Sequence, residues 1–545
     1  MNKTKLLLER IRVSVDASDE IIANKAKEKM KRAGINTSTL HFRLYKKSID
    51  ARNKEDIRFE CAVLVEGDIP QKALDTKFLT RVQGRSIVEE EPKLVFGNEA
   101  MHASPVVVGM GPAGLFAALL LAQNGYAPIL IDRGGSIAER AQDVSRFRNE
   151  GVLNTESNVQ FGAGGAGTFS DGKLITRIND PLCNYVLKSL VTFGAPEDIR
   201  IKAKPHIGTD VLRLVVDNIL GEIERLGGRV IYHCRMDEIA ENPDKTLTVK
   251  TTKGDFSAGA LLLAPGHSAR DTYRYLIKQN YAVEAKPMSV GVRVEHLQAD
   301  IDRALYGDFA GHPNLGPAEY ALSDTRGERG VYTFCMCPGG EVVAAASEEG
   351  GLVVNGMSYH ARNNPNANAA VAVSVGCEDY EKEEGSTPLG AIAFQRRIER
   401  AAFEVGGKNY YAPVMTMQDF LNDVQTHKYG RVTPSYRDGK VKEADFSQVF
   451  PDFVTKSLRY GFSSFGQKIK GFDAPDTMLT AAETRTSAPV RILRNKETMT
   501  AVGHPLIYPC GEGAGYAGGI TSAAVDGLRA AMALMSAYAP AKKNQ

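Results

Sequence analysis

No apolar run in this 545-residue sequence approaches the roughly 20 residues a helix needs to cross a bilayer. A membrane-spanning helix is therefore not expected, and Met1 to Val15 has charges scattered where a signal peptide would carry an apolar core. Charge of one sign is also lacking: 67 Lys and Arg face 65 Asp and Glu, a formal net charge of +2. Nothing global points to nucleic acid or an anionic membrane. Cysteine is scarce. The 7 present, spread from Cys61 to Cys510, do not make a disulfide framework, and no second cysteine or histidine pair has zinc-ligand spacing, so no metal is expected. These absences predict a soluble, cytoplasmic protein in a reducing compartment. What is present is an ordinary globular composition, 43% hydrophobic and 24% charged, at a length that calls for about three or four domains.

The chain is organised around Pro105-Val106-Val107-Val108-Gly109-Met110-Gly111-Pro112-Ala113-Gly114. The proline opens a buried β-branched strand and Leu115 to Ala122 continues as a helix-forming apolar run, so the glycines sit on a strand-to-helix turn. Gly109 permits the turn, Gly111 lets backbone approach a pyrophosphate, and Gly114 allows close helix–strand packing, with the helix N-terminus offering N–H groups to phosphates. Such a pattern alone is weak. Here a second strand, Ala127 to Arg133, follows and carries Asp132 near its end, about 20 residues past the last glycine, where a ribose diol needs an acceptor.

Residues 1–100 read as a separate small α/β domain, ferredoxin-like in outline, with strands from Leu6, Leu40 and Ile57 and a helix Asp19 to Arg32 capped by Ser18. Its stretch Arg43 to Arg52 is locally basic with Tyr45 inside it, which suits either an RNA- or partner-binding edge or, with base rates in its favour, a solvated hairpin. Glu89-Glu90-Glu91-Pro92 through His102 reads as the linker. Past the second strand, a helix from Ile137 to Phe147 leads to a loop with Gly162, Gly164, Gly165, Gly167, Thr168, Ser170, Asp171, Gly172 and Lys173. No apolar strand precedes that loop, so it is not a second dinucleotide fingerprint, yet so many glycines imply backbone lying against something flat or bulky.

Four blocks together resemble the glutathione-reductase-like FAD superfamily, and within it bacterial FAD-dependent dehydrogenases of this length. They are Gly109 to Gly114 with Asp132-Arg133, the Gly162 to Lys173 loop, Leu261 to His267, and Tyr508-Pro509-Cys510-Gly511-Glu512-Gly513 through Gly518-Gly519-Ile520. The resemblance implies a Rossmann-type FAD-binding domain in two parts, 104–286 and 475–545, around an inserted α+β substrate or cap domain at 287–474. It places the cofactor against Gly109, Gly111, Pro112, Ala113 and Gly114, against Asp132, Arg133 and Arg140, and against Gly165, Thr168, Asp171, Gly172 and Lys173. It further implies Met236 near the adenine, Ala264 and Gly266 beneath the nucleotide, and Gly511, Glu512, Gly518, Gly519 and Ile520 at the flavin. Two departures are Glu512, where the family carries Asp, and Asp132, where it more often carries Glu. The terminal block begins an Ala-rich helix whose dipole stabilises negative charge on a reduced ring.

The function expected is an FAD-dependent oxidoreductase passing a hydride through flavin N5, with a small-molecule substrate the sequence does not name. NAD(P)H enters only as a transient reductant, because no second credible Rossmann unit is present. The alternative is a non-catalytic or sensory flavoprotein whose first domain binds RNA or a protein. Cys335-Met336-Cys337 is the most chemical stretch of the insertion. Two thiols near a flavin form a redox disulfide or add to its ring, but on an extended strand they share a face without disulfide geometry, which favours buried cysteines acting as small hydrophobes. His267, His504, Tyr516 and Arg485 lie in or beside the blocks, and none is assigned a catalytic role.

Overall fold

The computed structural model describes residues 5–87, 93–385 and 387–540. The linker residues Glu89, Glu90, Glu91 and Pro92 lie outside them. Beyond that gap, Glu99–Ala100 pairs in parallel with Tyr538–Ala539, so the connection is pinned to the chain's far end.

Residues 5–87 contain a four-stranded antiparallel sheet in the order Leu40–Asp50, Arg58–Gly67, Lys5–Ser14, Gly84–Ile87. Helices Asp19–Arg32 and Thr76–Val82 complete a β-α-β-β-α-β chain order. Ser18 Oγ accepts the Ile21 N–H, and the helix it caps buries Ile22, Ala26 and Met30, four residues apart on one face. The basic Arg43–Arg52 stretch is one arm of a hairpin: strand Leu40–Asp50 runs through it and pairs antiparallel with Arg58–Gly67 across the turn that follows. Part of that edge is closed by the chain itself: Lys47 N–H donates to the Ile201 carbonyl (2.8 Å) and the Lys47 carbonyl accepts from Ala203 N–H (2.9 Å). Nor is this unit set apart. Its apolar residues, Leu6, Ile22 and Val63 among them, merge into one buried cluster with Val292, Val371 and Phe462 of the insertion.

A five-stranded parallel sheet carries the glycine turn. Its order is Ile507–Pro509, Leu261–Leu263, Val106–Val108, Ile129–Ile131, Arg229–Ile231. The three central strands are buried on both faces, as short apolar runs in a parallel sheet should be. Helices Pro112–Gln123, Thr209–Arg225 and Ile520–Ala537 cover one face. The hairpin sheet 236–258 and helix Arg270–Lys278 cover the other. Helix Pro112–Gln123 is apolar all round, and it lies between the sheet and helix Ile520–Ala537.

The insertion is a seven-stranded mixed sheet, ordered 323–324, 331–337, 366–375, 288–297, 478–483, 412–416, 441–443. Strand Met478–Glu483 pairs with Met288–Leu297 and Ala412–Thr416, so the expected boundary at 474 falls too early. The break comes after this strand, and Val490–Ile492 returns to pair with Val283–Ala285. Sequence pattern did not mark this, since a short apolar run reads the same in either sheet.

Candidate functional site

The three glycines of the first turn divide by what surrounds them. Gly109 holds φ +100°, and a Cβ there would stand 2.1 Å from the Ala264 carbonyl oxygen. A Cβ on Gly114 would stand 1.8 Å from the Gly109 oxygen, so both are required by the chain's own packing. Gly111 differs: it has an ordinary φ of −71°, and a Cβ would come no nearer than 3.9 Å to anything, the Gly165 Cα. It caps helix Pro112–Gln123 without any side-chain bond, leaving the first-turn N–H groups open.

The second glycine loop lies directly on this turn. A Cβ on Gly165 would reach within 2.7 Å of the Gly111 Cα, one on Gly134 within 2.5 Å of the Gly162 Cα, and one on Gly167 within 3.1 Å of Ile520 and 3.9 Å of Pro112. Gly167 thus sits between the first residues of two helices, Pro112–Gln123 and Ile520–Ala537. The second helix is capped by Gly519, again with no side-chain bond, and Gly518 and Gly519 have nothing within 4 Å of a built Cβ. Gly266 is equally open, while a Cβ on Gly513 would stand 2.6 Å from its backbone. A Cβ on Gly511 would touch Ala113 at 2.7 Å, and the Gly511 N–H is held at 2.7 Å by Asp526, itself paired with Arg494. Blocks separated by nearly the whole chain therefore meet around one space.

The polar residues expected at the cofactor take several different places. Asp132 accepts the Met110 N–H (2.8 Å) and the Gly134 N–H (2.9 Å), bracing the turn from below. Arg133 pairs with Glu156 (3.0 Å) and Asp271 over the Phe161 ring. Arg140 is fully buried and donates to the carbonyls of Asn158 (2.8 Å), Val159 (2.8 Å) and Ala163 (2.6 Å), so it shapes the second loop from behind. Thr168 is buried, its carbonyl accepting Thr209 Oγ1 at 2.6 Å. Asp171 is buried against Arg362 and Ser358, and Lys173 against Glu319 (2.9 Å), tying the loop to the insertion. Gly172 holds φ +69° between them. Met236 is buried in the core beneath the hairpin sheet.

Three titratable groups lie in or near these blocks. Burial pushes the Glu512 carboxyl up to about 7, opposed by its bond with Gly519 backbone and by Lys286. Burial pulls His267 down to about 4, with Arg485 and Arg270 adding to it, so the ring is neutral at pH 7. Lys286 is lowered, also by burial. Of the other residues flanking the blocks, Arg485 pairs with Glu399 (3.0 Å), Tyr516 underlies Arg494, and His504 stacks on Tyr281. Arg362 and Glu319, the partners of Asp171 and Lys173, and the pair Arg293 and Glu483 lie outside every motif in the sequence. A signal existed for Arg293: a charge inside the apolar strand Val290 to Val294 is buried only if a partner is buried with it.

Residues 287–486 match the family FAD-dependent protein, C-terminal domain-like, and residues 8–66 match a domain of unknown function. An uncharacterized protein of Clostridium beijerinckii is 45% identical over 532 residues, covering 96% of this chain and 97% of that protein. The chain belongs to the family of that protein. Its matched FAD-dependent unit spans strand Met478–Glu483, in agreement with where the insertion ends in the fold. Among solved structures, CtdE in complex with FAD is 9% identical over 80% of this chain and 86% of that one, with a TM-score of 0.31. Halogenase PltM is 10% identical over 79% and 67%, at 0.37. Across such distances the chemistry rests on the residues themselves. Among the described residues no group of His, Cys, Asp and Glu has the makings of a metal site, and no helix is long and apolar enough to cross a membrane.

Proposed function

We propose that this protein is an FAD-dependent oxidoreductase of Rossmann type. One observation carries the reading: two uncapped helix N-termini, at Gly111 and Gly519, flank Gly167 around a space that glycines keep open. Two positive helix ends facing one space suit a ligand with a pyrophosphate at one end and an anion-forming ring at the other. Gly111 and Gly165 line it where backbone must approach phosphate. Gly266, Gly518 and Gly519 line the remainder, where a flat ring needs room. When bound, FAD supplies hydride acceptance and donation at N5. The chain's own residues orient it, exclude water and hold protons. The Glu512 carboxyl, pushed up to about 7, holds or releases a proton near neutral pH beside the helix end, while the neutral His267 ring bonds Ser268 Oγ through Nδ1 (3.0 Å). Lys286 supplies a cation near Glu512. The substrate is a small molecule admitted between the insertion and this space, and NAD(P)H serves as a transient reductant. Cytoplasmic residence is part of the same reading.

The test is the absorption spectrum of purified protein, wild type and Gly111→Val, followed by anaerobic NADH or NADPH. Flavin bands in the wild type, lost in a Gly111→Val protein that keeps its far-ultraviolet dichroism, are expected because the site has room for the side chain but not for both side chain and phosphate. A wild type that holds no flavin even after reconstitution overturns the reading.

A further inference from the structure

The strand Val331–Cys337 does not stay extended where its two cysteines lie. Phe334 pairs with Ala370 and Cys337 with Asn368, so three steps on one strand answer two on its neighbour, a β-bulge. Cys335 stands at φ +45°, the left-handed region that costs a non-glycine residue on the order of 1–2 kcal/mol. The expectation of two side chains splayed along one extended face fails for this reason: the bulge curls the chain so that the Cys337 Sγ turns back to 3.4 Å from the Cys335 carbonyl. The following turn keeps the curl tight, since a Cβ on Gly340 would lie 3.0 Å from that of Cys337.

Beneath the pair lies Arg293, fully buried, donating to the Cys335 carbonyl (3.0 Å) and Asn368 Oδ1 (2.5 Å) and reaching the Cys337 Sγ at 3.6 Å. Among the described residues its one ion-pair partner is Glu483 at 3.5 Å, a loose contact that leaves the guanidinium available to an anion at the sulfurs. Cys335 is partly exposed where Cys337 is buried. Arg293 also lies against Gly356, where a Cβ would stand 1.9 Å from its guanidinium, and Ser358 two residues on bonds Asp171 of the second glycine loop, so the pair and that loop are joined through one short segment.

We propose that Cys335 and Cys337 are a redox-active thiol pair in electron exchange with FAD, Cys335 being the thiolate that meets external disulfides. This rests on the FAD reading above. In the oxidative direction the S–H bond of Cys337 breaks and an Sγ–Sγ bond forms between it and the Cys335 thiolate. The two electrons and the Cys337 proton pass to oxidised FAD. With a small disulfide as oxidant instead, the Cys335 thiolate displaces one thiolate from it, and the Cys337 thiol then gives its proton to water and displaces the second, closing the same bond. The Cys335 thiol is held below its ordinary range by hydrogen bonding from Cys337, with Arg293 and Lys173 adding to it, against the burial that opposes this, while Cys337 is held well above. That split gives one attacking and one resolving sulfur.

The experiment is equilibration of the full-length protein in glutathione redox buffers, acid quenching, alkylation and mass spectrometry of the peptide spanning 335–337, with anaerobic dithionite titration of the flavin-loaded protein alongside. The wild type is expected to show one two-electron transition of this peptide and to take up a second pair of electrons per flavin. Cys337→Ser is expected to trap glutathione on Cys335, and Cys335→Ser to abolish both the adduct and the extra pair of electrons. A flavin-loaded wild type whose 335–337 peptide stays in the dithiol form in every buffer overturns the proposal. A protein without flavin in which the pair still cycles overturns the electron exchange with FAD and the cofactor reading, but leaves the exchange with external disulfides standing.

Discussion

At the scale of single residues, glycines of one motif serve different ends, and substitution separates them. Gly114→Ala puts a methyl group 1.8 Å from a backbone oxygen and should cost about 1–3 kcal/mol or more, read as a lower denaturation midpoint. Gly111→Val brings its Cβ no nearer than 3.9 Å to anything, so its effect should fall chiefly on flavin retention and leave the midpoint closer to wild type than Gly114→Ala does. The buried triad Arg270–Glu399–Arg485 is a second case. Burial by itself would raise Glu399, but the two guanidiniums hold it well below the usual carboxylate range. Glu399→Ala strips Arg485 of its carboxylate and leaves Arg270 only the half-buried Glu348 at 2.7 Å, and should destabilise by about 3–5 kcal/mol. A urea midpoint unchanged from wild type would show that the triad contributes nothing. His296 gives a pH test. Burial lowers it to about 4 from 6.5, while its Nε2 bonds the Phe472 carbonyl at 2.7 Å. Below 6.5 the unfolded chain takes up a proton there that the folded one refuses until about 4. The stability advantage of wild type over His296→Gln should therefore be full above 6.5 and shrink as pH falls through that window, measured as paired urea midpoints.

At the scale of elements, caps and edges decide how the pieces sit. Ser136 forms a capping box with Glu139 at the start of helix Ile137–Glu150, the helix that delivers Arg140 to the second glycine loop and Arg148 to Glu341. Ser136→Ala should cost about 1 kcal/mol, seen as faster amide exchange over residues 137–141. Strand Leu40–Asp50 is an edge whose backbone meets Ile201 and Ala203, the device by which a fold blunts an unpaired strand. The cations of Arg43 to Arg52 are in part neutralised as well: Arg52 sits on Asp50 (2.6 Å), and Lys47 lies over Phe59.

At the scale of the whole molecule, charged groups lock the insertion onto the loop beside the five-stranded parallel sheet. Asp171 and Lys173 leave the glycine loop to meet Arg362 and Glu319, and Arg362 also approaches Glu319 at 3.8 Å. Arg362→Met strips Asp171 of its buried counter-charge and should cost about 3–5 kcal/mol while loosening the loop at the flavin. Weakened flavin retention together with a lowered thermal midpoint is the expected pair of results. Residues 5–87 share a core with the insertion, so deleting them uncovers apolar surface on that sheet.

The sequence by itself determined the local elements that short-range chemistry specifies. The Ser18 cap, the helix from Asp19 to Arg32, the strand–turn–helix at Gly109 to Gly114 and the fourfold apolar spacing of helix Thr209–Arg225 are all legible from neighbouring residues. The resemblance grouped four blocks, and the fold packs three of them together where Gly165 approaches Gly111 and Gly167 approaches Ile520. Only the tertiary structure decided where the charges go. Asp171, Lys173, Arg133 and Arg140 lie in the right blocks, yet their partners come from residues up to 191 positions away, and a carboxylate looks the same in sequence whether it faces a ribose or a guanidinium. The curl at Cys335 likewise depends on pairing with a strand more than thirty residues later, where one extra residue must be absorbed. Local pattern sets φ and ψ preferences and burial; long-range pairing, which no neighbour encodes, sets which polar groups meet.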